Sequence, residues 1–370
     1  MGNPGLKMLD TWAKPSSRDR VLGMWRPLDE RDESMARKAM TKELAGILNA
    51  PDMIRVPAAS IAARLGLDQI GPFLHKLVKD KSQSAGARAD AMLALASLKD
   101  DQLGETIQVA LEDKSATLRS SARQVLADVD PQAASATLRD AVFAGELVER
   151  QSALAVLGGM KDQIADPVIS LALDKLVDGE FPLNTQLDLL EAAKRRQASE
   201  IQTKLAKFES ARSPDDPMRN FRETLEGGDA VRGRTIFFER REVSCLRCHK
   251  IGGTGGEVGP DLSKIAVDKK RDYILESIVL PSRTMAKGFE TIMLATDDGL
   301  VHSGILKHED DKIVRLMTAK GETIEVATEA IEDRSKGKSA MPEDLLKHLS
   351  KSDIRDLVEF LSNQKPMAPE

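Results

Sequence analysis

Apolar side chains recur every 31 residues between positions 91 and 173, in four columns. The columns are Ala91, Ala122 and Ala153; Leu95, Leu126 and Leu157; Ile107, Leu138 and Ile169; and Leu111, Val142 and Leu173. Columns that share one period indicate a repeated structural unit. Within a unit the apolar positions follow the helical period, and Pro131 and Pro167 mark turns because the residue before a proline resists helical geometry. The pattern predicts stacked helix pairs that bury their apolar faces against one another.

Each repeat is expected to hold two helices, such as Leu118–Val129 and Ala133–Ala144. The pattern resembles HEAT-type α-solenoid repeats with short units, and about four units are expected over residues 51–209. A longer helix over Thr185–Lys207 is expected to close the stack, and His75 is assigned to the surface of its helix. Such a repeat domain serves either as a protein-binding surface or as a support for neighbouring domains.

Residues outside the repeats divide into four further segments. Residues 1–50 form an entry segment with a helix at Glu33–Asn49, and the proline-containing stretch 210–226 is interpreted as a linker. Residues 227–363 are expected to form a second domain, followed by a tail at 364–370.

The second domain begins and ends with helical patterns, but period-two alternation appears in its middle. The four predicted strands are Phe289–Thr296, Leu300–Lys307, Lys312–Thr318 and Glu322–Ala327, and the helix before them is Asp272–Val279. We therefore expect a mainly α protein, in which an α-solenoid precedes a helical domain with a small antiparallel β insertion at 289–334.

Composition narrows the class of protein only slightly. The chain is 41% hydrophobic and 3% aromatic, with a net charge of −5. This charge provides no general attraction to nucleic acid. No run of 18 or more apolar residues is present, so no transmembrane segment is predicted.

The chemistry of the chain is concentrated in the run Cys245-Leu246-Arg247-Cys248-His249, which contains its only two cysteines. The pattern C-x-x-C-H is the attachment sequence for c-type haem, in which both thiols bond to the haem and the histidine ligates the iron. A zinc site would need a further Cys or His pair. A thiol redox pair would need a thioredoxin-like strand–helix context. The sequence shows neither this context nor a further Cys or His pair for zinc.

The features around this motif resemble a small class I cytochrome c. Gly233 and Phe237 on the first helix, with Phe360 on the last, match the helix crossing of that fold. The glycine-rich run 252–262 lacks the ending of a phosphate-binding loop. In the cytochrome family this segment wraps the haem edge, which implies haem-contacting roles for Gly259, Pro260 and Leu262. The carbonyl of Pro260 would accept a hydrogen bond from the axial histidine and orient its ring.

Met341 is the leading candidate for the sixth iron ligand. It precedes Pro342 shortly before the last helix, which is the usual position of the methionine ligand in cytochromes c. Six competitors remain: Met285, which follows Pro281 in a loop, and Met293, Met317, His302, His308 and His348.

Residues 226–363 also resemble the haem-binding domain at the C-terminus of large planctomycete and verrucomicrobial proteins. The resemblance is carried by Ile278–Ser282, Lys287–Glu290, Asp298–Gly304 and Ser339–Pro342. In that family the domain often follows helical repeats, downstream of a β-propeller that resembles sugar dehydrogenases. The resemblance implies a fragment of a larger membrane-bound-dehydrogenase-like protein, with a redox partner protein or an upstream dehydrogenase domain as electron donor.

The leading hypothesis is one-electron transfer through a single covalent haem c ligated by His249 and Met341. It makes the chain an electron-transfer protein rather than a catalyst on its own. Because haem c is attached after export, we expect a periplasmic or otherwise exported protein, although Met1–Pro4 lack a secretory pattern. The alternatives are a haem peroxidase or gas sensor with a labile sixth ligand, and a haem-free repeat scaffold.

Overall fold

The computed structural model describes residues 4–18, 22 and 24–365. Over this range the protein is mainly helical, with a small antiparallel sheet, as the sequence predicted. Packing divides the chain into two compact units, Met1–Leu171 with Glu191–Gln202 and Ala172–Leu190 with Thr203–Glu370. We call these the helical unit and the mixed unit. The domain bounds inferred from sequence stay a prediction, and part of the 364–370 tail lies outside the described residues.

The chain up to residue 210 is built from short helices joined by tight turns. They are α1 (Pro4–Asp10), α2 (Glu33–Leu48), α3 (Asp52–Arg64), α4 (Gly71–Lys79), α5 (Ala85–Leu98), α6 (Leu103–Leu111), α7 (Ala116–Val129), α8 (Pro131–Ala144), α9 (Leu147–Gly159), α10 (Asp166–Val177), α11 (Gln186–Lys194) and α12 (Ser199–Ser210). The predicted helices at Glu33–Asn49, Leu118–Val129 and Ala133–Ala144 are confirmed as α2, α7 and α8.

Side-chain caps explain where several of these helices begin. Ser84 and Ser115 accept hydrogen bonds from the third amide of α5 and α7, at 3.2 and 3.4 Å. Asp130 caps α8 in the same way at 3.0 Å, and Pro131 then occupies the first helical position. Each cap satisfies an amide that has no partner inside the helix.

The odd-numbered helices of the helical unit pack in series, α3 on α5, α5 on α7 and α7 on α9. The side chains of the four 31-residue columns form the core here. All of them are buried except Leu111, which is partly exposed. Two ion pairs of largely buried side chains join residues 25 and 30 positions apart: Arg88 contacts Asp113 at 2.6 Å, and Arg119 contacts Glu149 at 2.6 Å.

His75 does not lie on the surface, so that prediction was wrong. Its side chain is 12% exposed. Nδ1 lies 2.6 Å from the Thr106 hydroxyl, and Nε2 lies 2.8 Å from a carboxylate oxygen of Asp100. Both partners belong to the next helix pair. The spacing of a histidine on its own helix carries no information about such partners.

The single helix predicted at Thr185–Lys207 is also wrong, because α11 ends at Lys194 and α12 begins at Ser199. Arg196, between them, is buried and bonds to Asp166 at 2.7 Å and to the carbonyl of Asp162 at 2.7 Å. The chain turns at this point to place the guanidinium against an acceptor-rich loop. A continuous helical pattern cannot reveal such a turn.

The mixed unit contains the remaining helices and all the strands of the described chain. The helices are α13 (Ala230–Glu239), α14 (Cys245–Cys248), α15 (Ile265–Asp268), α16 (Arg271–Val279) and α17 (Lys351–Ser362). Two short strands, β1 (Lys250–Ile251) and β2 (Thr254–Gly255), form a hairpin. The other strands are β3 (Thr291–Thr296), β4 (Val301–Glu309), β5 (Ile313–Met317), β6 (Thr323–Ala327) and β7 (Ile331–Lys336), in the order β6-β5-β4-β3-β7.

Four of the five strands in the larger sheet were predicted, but β7 was missed. It pairs antiparallel with β3 and extends the sheet to residue 336, beyond the expected limit of 334. Its sequence, Ile-Glu-Asp-Arg-Ser-Lys, has five exposed residues and no apolar alternation. Backbone pairing at a sheet edge forms this strand, so side-chain pattern could not predict it.

Helices α13 and α17 cross in the core of the mixed unit. A Cβ atom at Gly233 would collide with the carbonyl oxygen of Asp356, so the close approach requires glycine. The rings of Phe237 and Phe360 lie 5.8 Å apart at the same crossing. The predicted contact between these residues is therefore present. Asp356, 4% exposed, accepts from the Asp229 amide at 2.7 Å and holds the start of α13 against α17.

The stretch 210–226 belongs to the mixed unit and contributes to its core. Met218 is buried in the apolar core around α13 and α17, and Glu223 bonds to Arg212 at 3.2 Å and Lys351 at 2.5 Å.

Among the described residues, no helix has both the length and the apolar character needed to cross a membrane.

Candidate functional site

The C-x-x-C-H run begins with an unusual backbone turn. Ser244 has φ 45° and ψ 40°, a left-handed conformation that non-glycine residues seldom adopt. The next four residues form the single turn of α14, and the amide of His249 donates to the carbonyl of Cys245 at 3.0 Å. The turn places both cysteines and the histidine within one compact segment.

The glycine-rich stretch folds back onto this segment. Gly252 and Gly253, with φ 58° and 80°, form the two-residue turn between β1 and β2, as expected for a hairpin turn that requires positive φ at both positions. Gly255 and Gly256 then press against the C-x-x-C-H backbone, where a Cβ would collide with the carbonyls of His249 and Arg247. The glycines serve close backbone packing rather than phosphate binding.

His249 is held in one orientation and in its neutral form. Its Nδ1 lies 3.0 Å from the carbonyl oxygen of Pro260, which can only accept, so Nδ1 carries the proton. The predicted hydrogen bond is thus present. Burial lowers the pKa of the imidazole, although the hydrogen bond to Pro260 opposes this effect. The lone pair of Nε2 is free, since this atom has no hydrogen bond to any described residue, and an iron could take it.

Gly259 lies directly against the imidazole ring. A Cβ at this position would be 2.5 Å from Cε1 and 2.7 Å from Nδ1 of His249. The Gly259 amide also donates to the carbonyl of Cys248 at 2.8 Å. Two neighbouring residues, Gly259 and Pro260, therefore fix the plane and the tautomer of the histidine.

The two cysteines are free thiols and are partly buried. Burial raises the pKa of Cys245 to about 11 and also raises the pKa of Cys248. A thiol–disulfide catalyst instead needs a thiol whose pKa is lowered. The electrostatic setting therefore argues against the thiol redox pair. Among the described residues, no three His, Cys, Asp or Glu side chains converge in a way that could hold a metal ion.

All of these groups line one mostly apolar cleft in the mixed unit, with a volume of about 1210 Å³ including its open mouth. Every site residue inferred from the sequence lies in its wall: Cys245, Cys248, His249, Gly259, Pro260, Leu262 and Met341. The cleft is therefore suited to a large and mainly apolar ligand.

Two of the seven candidate sixth ligands line the cleft, Met341 and Met285. Met293 is 38% exposed on β3, and Met317 pairs with Ile305 across the sheet. His308 bonds instead to Asp310 at 3.0 Å. Neither these three residues nor the candidates His302 and His348 contribute to the cleft wall.

Several wall residues were not foreseen. Phe289, just before β3, and Ile305 on β4 bring the inserted sheet into the cleft, and Tyr273 of α16 lies there as the chain's only tyrosine. Ile305 lies within a predicted strand, but only the tertiary fold shows what it faces.

Comparison with known protein families and with curated proteins finds no match to this chain. Its function must therefore be inferred from the residues and geometry of the cleft.

Proposed function

We propose that this chain is a c-type cytochrome module that transfers single electrons through one covalently bound haem. One observation carries the proposal: both thiols of C-x-x-C-H, the neutral imidazole of His249 and the thioether of Met341 line the same apolar cleft. The attachment sequence itself requires two thiols and an adjacent histidine.

The residues of the cleft suit a haem in three respects. Cys245 and Cys248 would form the two thioether bonds, and His249 would offer Nε2 to the iron while Nδ1 donates to Pro260. A hydrogen bond to the ring nitrogen that does not bind the metal raises the basicity of a ligating histidine. Met341 would complete the coordination, and a thioether ligand favours the reduced iron. The haem would supply the one-electron chemistry by cycling between ferrous and ferric iron.

The protein's own part is to orient the ligands and exclude water. Apolar side chains such as Leu262, Ile305 and Phe289 line the cleft wall. An apolar shell limits solvent access and so tunes the potential of a redox centre.

The finer fold assignment belongs to the same proposal: an α-solenoid of HEAT-like helix pairs followed by a class I cytochrome c-like domain. Serial packing of α3, α5, α7 and α9 supports the first part. The crossing of α13 and α17 at Gly233, Phe237 and Phe360 supports the second. The helical repeats would hold the haem domain near its electron donor, which we propose to be a dehydrogenase domain or partner protein in an exported setting.

The proposal is tested by expressing the chain in the periplasm of a host that matures haem c. We expect haem that survives acid–acetone extraction, one per chain, and a low-spin c-type spectrum with the weak far-red ferric band of methionine ligation. A covalent haem without that band would favour an open or bis-histidine iron, and with it the sensor or peroxidase alternative. Protein that carries no covalent haem would leave a repeat scaffold and refute the proposal.

A further inference from the structure

The side chain of Ser282 joins the loop after α16 to the segment that carries Met341. Ser282 lies in the loop after α16, and its hydroxyl accepts a hydrogen bond from the amide of Ser339 at 3.2 Å. The same hydroxyl donates to a carboxylate oxygen of Glu343 at 3.0 Å. These two partners lie two residues before and two residues after Met341, so the Ser282 hydroxyl is hydrogen-bonded on both sides of the methionine.

Further hydrogen bonds order both segments that Ser282 joins, the loop after α16 and the segment that carries Met341. In the loop after α16, Thr284 donates to Glu276 at 2.9 Å, which ties the loop to its helix. In the methionine segment, the amide of Met341 donates to the hydroxyl of Ser339 at 3.2 Å. Hydrogen bonds therefore tie the loop to α16 through Thr284, join the loop to Ser339 through Ser282, and join Ser339 to the backbone of Met341.

We infer that Ser282 is the positioning residue that holds the Met341 thioether in place as an iron ligand. The inference rests on the proposed function and adds to it a residue that does not itself touch the iron. A methionine ligand binds iron weakly compared with imidazole, so its occupancy depends on how firmly its backbone is held. Loss of the hydroxyl would release both flanks of Met341 at once while leaving the thioether itself unchanged.

The loop that carries Ser282 also carries Met285, whose side chain lines the same cleft. Release of the Met341 segment would therefore leave a second thioether near the iron. For this reason the test should include Met285→Ala in combination with the serine variant, so that exchange between the two methionines is visible.

The test compares ferric wild type, Ser282→Ala and Ser282→Thr by titration with imidazole and by the far-red methionine band. For Ser282→Ala we expect apparent imidazole affinity to rise about ten-fold, since the net effect of one or two lost hydrogen bonds is of that order. The far-red band should weaken. Ser282→Thr keeps the hydroxyl and should restore both properties.

Ser263→Ala is a matched control. Ser263 likewise accepts from a backbone amide, that of Gly252 at 2.8 Å, and donates to a carboxylate, that of Asp261 at 2.5 Å, but it does not contact the Met341 segment. Its loss should leave imidazole affinity unchanged. Equal effects of the two alanine variants, or no effect of Ser282→Ala, would overturn the role of Ser282 while leaving the cytochrome proposal intact. A wild type without covalent haem would overturn both.

Discussion

Glu149 is a buried carboxylate of the helical unit that two arginines hold, and its charge should contribute to the acid stability of that unit. Its side chain is 3% exposed, and it accepts hydrogen bonds from Arg119 at 2.6 and 2.8 Å and from Arg123 at 2.6 Å. The Arg119 hydrogen bonds, aided by Arg123 and opposed by burial, lower the pKa of Glu149 from its ordinary 4.5 to about 2.

The size of the effect follows from this change in proton affinity. A pKa lowered from 4.5 to about 2 corresponds to roughly 3 kcal/mol of stabilisation, at about 1.4 kcal/mol per tenfold change. Because the folded pKa is the lower one, this stabilisation is fully present above about pH 4.5 and is lost as the pH falls towards 2. Glu149→Gln keeps the shape of the side chain and removes the charge, so Arg123 loses its ion-pair partner and Arg119 keeps only the exposed Glu146.

Urea denaturation followed by far-UV circular dichroism at pH 7, 5, 4 and 3 measures this prediction. The free energy of unfolding of Glu149→Gln should lie about 3 kcal/mol below that of wild type at pH 7, and the gap should narrow steadily below pH 4.5. Glu146→Gln is the control. Glu146 contacts the same Arg119 at 2.9 Å but is 66% exposed, and exposed ion pairs contribute about 0–1 kcal/mol. A gap at pH 7 no larger than that of the control, or one that does not change with pH, would refute the reasoning.

Three further predictions concern the mixed unit. Met341→Ala should keep the haem attached but open the sixth position and lower the potential; an unchanged optical spectrum would exclude Met341 as the ligand. Gly259→Ala places a methyl group 2.5 Å from the ring of His249, so the imidazole should rotate, which a shift of its nitrogen resonances by NMR in the haem-free protein would reveal. Gly233→Ala forces the added methyl against the carbonyl of Asp356 and should cost about 1–3 kcal/mol of unfolding free energy in urea; wild-type stability would contradict the close crossing.

The sequence predicted well those features that depend on short-range pattern. The helices α2, α7, α8 and α16 lie within a few residues of their predicted bounds, and four strands of the inserted sheet were anticipated. The residues of C-x-x-C-H could be assigned to one site because a motif of fixed spacing brings its own residues together. Gly259 and Pro260 were assigned to the same site only through the resemblance to cytochromes c.

The failures share a physical cause, which is contact with residues far away in sequence. His75 bonds to partners on the next helix pair. Arg196 breaks an otherwise continuous helical pattern to reach acceptors 30 and 34 residues earlier. The two hydrogen bonds of the Ser282 hydroxyl join two loops that the whole inserted sheet separates in sequence. None of these contacts leaves a periodic trace in the chain.

The strand that the sequence did not predict is the one that leads to the proposed iron ligand. β7 pairs with β3 through Lys336, and the amide of Gly337 continues the pairing by donating to the carbonyl of Thr291 at 2.8 Å. A Cβ at Gly337 would lie 2.7 Å from the Thr291 side chain, so glycine is needed for this approach. The segment carrying Met341 therefore leaves the sheet from a fixed point. In this arrangement the inserted sheet supplies apolar residues to the cleft wall and sets the starting position of the methionine segment, to which Ser282 is then hydrogen-bonded at Ser339 and Glu343.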